Sequence, residues 1–474
     1  MSVGAMGNGA SGYLRVRLAR ALGGYANGFV LVLSDIAAFV VAAWCSFQMA
    51  SALSSGISGG AFVLWDKALV DRIPIVVPVL VGVMAWLHGR GRYSRRQPFW
   101  DETRDLAIAC LIGVVAEGFG QYALKEHVSR IWIVANWTAL AFVAVAFRSW
   151  MKASLSALGV RDIAVLIVGD ATEVGEAIKA ESSFGWRIVG AMPFCESERV
   201  LAEVRAKRAR HVVVVGVPGS GVTELVRTLS TMRISYALCL PVNGSGLASM
   251  RATAMVGRDF LLLTERPGLG APFARTVKRT CDILLAATGL VAAIPFAIPV
   301  LVAVCLDGGA PLFGHRRVGR NGREFLCLKF RSMAKDADAR LSELLERDPA
   351  ARAEWDATRK LRADPRVTRL GAFIRTTGLD EIPQLWNILR GDMSFVGPRP
   401  VTPEELPLYG EDRHAYLDVR PGLTGLWQAS GRNDVSYVRR VALDAWYVRN
   451  WSPWLDLVIL CKTVPAVLAR RGAY

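Results

Sequence analysis

Long apolar stretches dominate the first third of the chain; afterwards they give way to short apolar runs separated by charged segments. Four stretches, about residues 28–53, 73–89, 105–124 and 130–149, have the length and apolar content of bilayer-crossing helices. The second and third are marginal in length or polarity, because Glu117 falls inside the third. Basic residues set the expected orientation. Arg15, Arg17 and Arg20 precede the first span, Arg90, Arg92, Arg95 and Arg96 separate the second from the third, and Arg148 and Lys152 follow the fourth. Both ends of this module are therefore expected on the cytoplasmic side. The first apolar run is too long for a cleavable signal and no small-residue cleavage site follows it.

From about Arg161 the period changes. The runs "IAVLIVGD", "WRIVGAM", "HVVVVGVP" and "YALCLPV" are β-branched and short, and helix-like segments such as "ATEVGEAIKAES" and "SERVLAEVRAKRA" separate them. Strands alternating with helices predict a small parallel sheet covered on both faces. Gly169 to Gly175 loosely matches a nucleotide-binding turn without the full G-x-G-x-x-G spacing, so a cofactor site and a structural or oligomer-forming role both stay open.

A further apolar run, about Ile283 to Leu306, is long enough to span, yet Pro295 and Pro299 lie in its middle. Arg275, Lys278 and Arg279 stand before it, and His315, Arg316 and Arg317 after it. A helix that enters the membrane, breaks at Pro295 and returns to the same side fits this pattern; so does a fifth, kinked span, which lipid also tolerates. Beyond it, Asn321-Gly322 predicts a hairpin whose second strand ends at Lys329 and Arg331. The segment Trp446 to Leu468, rich in Trp and Leu, reads either as an interfacial element or as a core helix.

Composition sharpens the picture. Apolar residues make up 52% of 474 residues and mean hydropathy is +0.31, which favours a membrane protein. The formal net charge of +16 suits anionic partners; the apolar runs favour a phospholipid surface or phosphorylated substrates over nucleic acid. Eight scattered cysteines form no C-x-x-C, so neither a disulfide framework nor a zinc site is expected, and their bland reading as small core or lipid-facing residues outweighs a reactive one.

The strongest candidate for chemistry lies in "GLDEIPQLWNILRGDMSFVGPRP", Gly378 to Pro400. Leu379, Ile382, Leu385, Trp386 and Leu389 recur at helical spacing and are expected to face a core. Thr376 or Thr377 is expected to cap this helix and Pro383 to occupy its first turn, which places Asp380 and Glu381 at a helix N-terminus. Adjacent helical residues point about 100° apart, which suits two different jobs better than a shared proton. An Asp-Glu pair in a first turn is usually ordinary helix capping; here Lys329, Arg331, Arg375 and Arg399 are expected to converge on it. Carboxylates among cations beside a membrane fit Mg²⁺-assisted handling of a diphosphate.

The motifs "KFRSM", "DPRVTRLG", "LDEIPQL", "GDMSFVGPRP", "RPGLTGLWQASGR" and "LDAWYVRNWSPWLDLVILCKTV" occur in the order seen in the bacterial sugar transferases. Over about residues 275–474 the chain resembles these monotopic phosphoglycosyl transferases, and its N-terminal part resembles that of their large members. The resemblance implies a membrane protein of α plus α/β class, with a four-helix transmembrane module (1–155) and a Rossmann-like α/β domain (160–265). An α+β catalytic domain (275–474) would follow, with a re-entrant helix (279–306) broken at Pro295. It implies a cytoplasmic-face enzyme of a bacterial inner membrane, acting on a UDP-sugar and undecaprenyl phosphate, bound to anionic lipid, Mg²⁺-dependent and homodimeric. Asp380 would be the nucleophile that takes a hexose phosphate and expels UMP. Glu381 would bind Mg²⁺ with Asp380 or take a proton, while Arg375, Arg399, Lys329 and Arg331 would bind phosphates. Ile294, His315 and Gly378 depart from common Ser, Gln and Ser, which touches local geometry and sugar choice. Two rivals are a membrane-anchored nucleotide-sugar dehydratase or epimerase and a non-catalytic scaffold. The first lacks a glycine fingerprint and a Tyr-x-x-x-Lys pair; intact Asp380, Glu381 and Arg399 argue against the second.

Overall fold

The computed structural model describes residues 28–49, 65–93, 96–125, 130–157, 161–217, 219–240, 250–254, 261–265, 268–308, 310–358, 361, 364–430 and 436–468. Arg15, Arg17, Arg20 and Arg95 of the orientation argument lie outside these residues. The chain divides into two compact units, 1–241 and 242–474.

In the first unit, four helices come first: α1 (Gly28–Met49), α2 (Trp65–Gly89), α3 (Phe99–Ala123) and α4 (Arg130–Ala157). Ala38, Ala42, Val83, Leu87, Leu106, Ala109, Ile133 and Trp137, drawn from all four, form one apolar core. Small residues make the close approach possible: a Cβ on Gly113 would overlap the Trp137 ring. Outward-facing positions stay apolar, with Val115 65% and Phe142 74% exposed, as for helices whose solvent is lipid. The polar residue noted inside the third span has a partner. Arg72 Nε donates to Glu117 Oε1 at 2.7 Å, and Trp137 Nε1 donates to its other oxygen at 2.8 Å.

The same unit continues into a parallel sheet of β1 (Ile163–Val168), β2 (Trp186–Met192), β3 (His211–Val215) and β4 (Ser235–Cys239), in the order β2-β1-β3-β4. One face is covered by α6 (Ser197–Ala206) and α7 (Ser220–Thr231), the other by α5 (Thr172–Ala180). Alternate residues serve alternate faces: Leu166 and Val168 join the first core, Val165 and Ile167 the second. All four strands expected from the β-branched runs are present.

The second unit begins with β5 (Met250–Ala254) and β6 (Leu261–Glu265), an antiparallel pair that forms a two-stranded sheet of its own. Helix α8 (Pro272–Leu306) follows, 35 residues long. It runs unbroken through Pro295 and Pro299, in contrast to the break expected at Pro295; the prolines leave the carbonyls of Val291 and Pro295 without their helical donors but do not end the helix. Much of its apolar middle is uncovered, with Val291 68% and Phe296 60% exposed. Among the described residues, five helices, α1–α4 and α8, are long and apolar enough to cross a membrane.

Strands β7 (Leu312–Val318) and β8 (Glu324–Phe330) form the expected hairpin, its turn made by Asn321 and Gly322 with φ of 58° and 76°. Helices α9 (Ala337–Arg347), α10 (Pro349–Thr358), α11 (Arg369–Thr377) and α12 (Gln384–Arg390) come next, then β9 (Ser394–Val396). The remainder is α13 (Arg413–Leu417), β10 (Gly422–Thr424) parallel to β9, α14 (Leu426–Ser430), α15 (Tyr437–Asn450) and α16 (Pro453–Leu468).

Candidate active site

Asp380 and Glu381 do not open a helix as expected. Thr376 and Thr377 close α11, their hydroxyls donating back to Ala372 O and Phe373 O at 2.9 and 2.8 Å, so neither caps the turn that carries the acids. Gly378, at φ 73°, ends α11, and Leu379–Glu381 forms a single 3₁₀ turn before α12. Two helices thus meet at the acidic pair. Leu385 and Ile388 are buried, but Trp386 is 55% exposed, so α12 buries a narrower face than its apolar spacing suggested.

The floor of the site is the second half of α8. Val300 and Val304 join Phe330 and Ile374 in one cluster against which Leu379 and Ile382 rest. Lys329 arrives from β8. Its ammonium donates to Glu381 Oε1 at 2.6 Å and lies 3.5 Å from Asp380 Oδ2. Asn387 fixes that strand: its Oδ1 accepts from Leu328 N–H at 3.0 Å, and its Nδ2 donates to Leu326 O at 2.9 Å. Arg279 of α8 donates to the carbonyls of Ile388 and Leu389 at 2.6 and 2.8 Å, which satisfies the end of α12. Three elements therefore hold one lysine against two carboxylates.

The two acids differ in setting. Asp380 is 7% exposed, and burial pushes its carboxyl above the usual aspartate range against the opposing pull of Lys329. Glu381 is more open, its side chain 42% exposed. Burial disfavours the Lys329 ammonium, but the charges of Glu381 and Asp380 outweigh it and hold its pKa above the ordinary value.

The other predicted cations are arranged unequally. Arg375 donates to Ser332 Oγ at 2.8 Å and is near enough for its charge to act on Asp380. Arg331 turns away: its guanidinium donates to Val304 O of α8 at 3.0 Å. Arg399 stands with its guanidinium 5.9 Å from the Trp427 ring centre, and Arg440 lies 4.7 Å from the same ring centre. Its loop is held closely: Gly397 N–H donates to Thr424 O at 2.9 Å and Gly422 N–H to Pro398 O at 2.8 Å. A Cβ on Gly397 would lie 2.8 Å from Arg420 O, so this position tolerates only glycine. Among the described residues, Lys329 is the cation that the structure joins directly to the acidic pair.

Three residues escaped the sequence reading. Asn387 was hidden inside an apolar-periodic helix, where its polarity at a core-facing position is the only signal. Ser332 ties Arg375. Asp444 of α15 is buried, accepts from Tyr409 Oη at 2.9 Å, and has its carboxyl pushed up to about 8 by burial; Arg399 is among the charges that oppose this rise.

With this arrangement established, the chain can be placed. It belongs to the bacterial sugar transferases, and is a transferase: the family description "Bacterial sugar transferase" matches residues 273–470. It is 36% identical over 467 residues to a "UDP-galactose-lipid carrier transferase" of Erwinia amylovora, covering 94% of this chain and 97% of that one. It is 35% identical, with the same coverage, to the "Undecaprenyl-phosphate galactose phosphotransferase" of Salmonella typhimurium. The "Exopolysaccharide production protein ExoY" of Rhizobium meliloti matches 48% of this chain over its whole length at 52% identity.

Proposed function

We propose that the protein transfers a hexose phosphate from a UDP-sugar to undecaprenyl phosphate, as an early membrane step of polysaccharide synthesis. The observation that carries this is the Lys329–Asp380–Glu381 cluster, a buried carboxylate held between a cation and a second acid against α8. Near-full-length similarity to proteins named as sugar-phosphate transferases supports the substrate classes.

In the first step an Asp380 carboxylate oxygen attacks the sugar-bearing phosphorus, the phosphoanhydride bond breaks, and UMP leaves. In the second, an oxygen of the lipid phosphate attacks the same phosphorus, the acyl phosphate bond breaks, and Asp380 is restored. One phosphoanhydride replaces another, so no further energy source is needed. The raised pKa of Asp380 makes its carboxylate more basic than an exposed one, hence a better nucleophile once ionised. Lys329 keeps it ionised and offsets the charge of the incoming phosphates, with Arg375 beside it. Arg399, on its closed loop, is a second phosphate ligand.

The site also suits Mg²⁺. No group of three metal-ligating side chains occurs among the described residues, but Mg²⁺ is commonly held by one or two carboxylates together with substrate phosphates. Asp380 and Glu381 are hard oxygen donors on one short turn, both within reach of the Lys329 ammonium. Held there, the ion would supply charge neutralisation at the diphosphate.

In the same reading the four helices α1–α4 are a transmembrane module of an inner-membrane protein, followed by the α/β domain and the catalytic domain. Helix α8 would enter and leave the membrane from the cytoplasmic face, with Pro295 and Pro299, which remove helical hydrogen bonds at its middle, as the place where it can turn, and α16 would lie at the interface. UMP release from a panel of UDP-sugars tests the whole. Wild-type protein should release UMP in the presence of polyprenyl phosphate and Asp380→Asn should not. Unimpaired release by that variant, with no sugar-phosphate adduct at position 380, would overturn the reading.

A further inference from the structure

The first unit contains a cavity of about 250 Å³ where the end of α4 and the start of α3 face the 182–185 turn. Its wall carries four cations, Arg92, Arg148, Lys152 and Arg161, against one carboxylate, Glu102. The counter-charges are overdrawn. Glu102 meets both Arg148 and Lys152. Asp35 Oδ2, behind the wall, serves Arg92 at 3.3 Å, Arg148 at 3.2 Å and the Tyr93 hydroxyl at 2.9 Å. Arg161 donates to the carbonyls of Ser182 and Ser183, and Arg96 to those of Gly185 and Arg161 at 3.0 and 2.5 Å. When Asp35, Asp162 and Glu181 of the surrounding layer are set against Arg96, the cations still outnumber the acids.

These cations are also removed from water: Arg92, Arg148 and Arg161 are 2%, 3% and 7% exposed. Burial holds the Arg161 guanidinium below its usual pKa, and burial with Arg161 beside it pushes Arg96 down to about 10. A dehydrated excess of positive charge around an open volume favours an anion. Arg92, Arg148 and Arg161 supply fixed positive charge, while the Lys152 ammonium and the exposed Ser149 hydroxyl supply donors suited to phosphate oxygens; the Ser156 hydroxyl donates instead to Asp162 Oδ1 at 2.6 Å. The volume lies below the roughly 300–1,000 Å³ of pockets for larger ligands, so it suits a phosphate or headgroup rather than a nucleotide-sugar. Exposed apolar residues of α4, Trp150 among them, begin beside it, which places the cavity within reach of a lipid headgroup.

We propose that this cavity binds a phosphate-bearing anion, either an anionic lipid headgroup or a soluble phosphate, and that the bound anion joins the α3–α4 helix ends to the α/β domain. All its lining residues belong to the first unit, and all those assigned to transfer belong to the second.

The test uses the full-length chain, purified in detergent and stripped of lipid. Inorganic phosphate is titrated by calorimetry. In a second arm the protein is returned to nanodiscs of phosphatidylglycerol or of phosphatidylcholine, and retained lipid is counted by native mass spectrometry. One probe should bind stoichiometrically, and Lys152→Gln and Ser149→Asp should each weaken it by about tenfold or more, the loss of one charge-assisted contact. Phosphatidylglycerol binding alone assigns a headgroup, phosphate binding alone a soluble ligand, and sensitivity of both assigns the shared phosphate group. Lys152→Gln leaves Glu102 with one partner fewer and can disturb folding. Ser149 is exposed, so Ser149→Asp brings a negative charge to the wall without cutting an ion pair. If neither probe binds wild-type protein, or if Ser149→Asp with wild-type melting behaviour binds equally well, the proposal fails.

Discussion

Replacing Asp444 by asparagine removes a buried titrating group from the second unit and gives a stability change of calculable sign. The free carboxyl ionises near 3.8, while in the fold it is pushed up to about 8. Between those values the unfolded chain has released its proton and the folded chain retains it, so wild-type stability falls as pH rises. Each pH unit in that window is worth about 1.4 kcal/mol, so the loss between pH 5 and pH 8 is about 4 kcal/mol. Below 3.8 both states are protonated and above 8 both are ionised, and the slope vanishes. Asparagine does not titrate, yet its amide oxygen can still accept from Tyr409. Subtracting the two stability curves cancels every other group, leaving a difference that grows in favour of Asp444→Asn up to pH 8 and is flat beyond. Denaturant unfolding in detergent, followed by tryptophan fluorescence, measures it. A difference that stays constant from pH 5 to pH 8 would show Asp444 titrating as an exposed acid does, and the burial argument would be refuted.

Asp380→Asn should lower UMP release by about a thousandfold or more, the scale of losing a covalent nucleophile. It should also raise the melting temperature, because an acid with a raised pKa costs the fold stability once ionised. Activity of the wild type should fall on the acid side at a pH above the ordinary aspartate range, since Asp380 must be ionised to attack; Lys329→Met should move that limb further up, read from pH–rate profiles. Asn387→Leu strands the Leu328 N–H and the Leu326 carbonyl, a cost of about 2–4 kcal/mol in unfolding experiments, and should reduce transfer by loosening Lys329. Arg331→Met should keep transfer within about tenfold of wild type, because its guanidinium is spent on the Val304 carbonyl; a loss like that of Lys329→Met would refute this placement.

Periodicity is a sufficient guide where burial obeys a simple rule. Four apolar helices, alternating faces in β1 and β3, and the Asn321-Gly322 hairpin all arise from local pattern, and the structure has them. Periodicity misleads where a local signal meets a tertiary one. Thr376 and Thr377 have cap chemistry, but α11 reaches them first, and Gly378 in the left-handed region decides where it stops. Pro295 reads as a helix end because it removes a hydrogen bond, yet α8 continues through it. For the site, charge type is legible and direction is not. Lys329 and Arg331 are two residues apart near the end of the same strand, yet one is drawn to Asp380 and Glu381 and the other to a helix carbonyl. A polar residue at a core-facing position is the one linear mark of Asn387, and its importance, like that of Asp444, lies in what it touches across the fold.

The ion pair between Arg72 and Glu117 bears on how the chain is made. A lone arginine or acid within an inserting segment opposes entry into the bilayer, by about 2.5–3.5 kcal/mol at the segment's centre. Arg72 lies within α2 and Glu117 within α3, and each relieves the other. On the transmembrane reading proposed above, neither segment should therefore leave the insertion machinery by itself; the first would wait for the second, and the two would enter as a hairpin with the charges already matched.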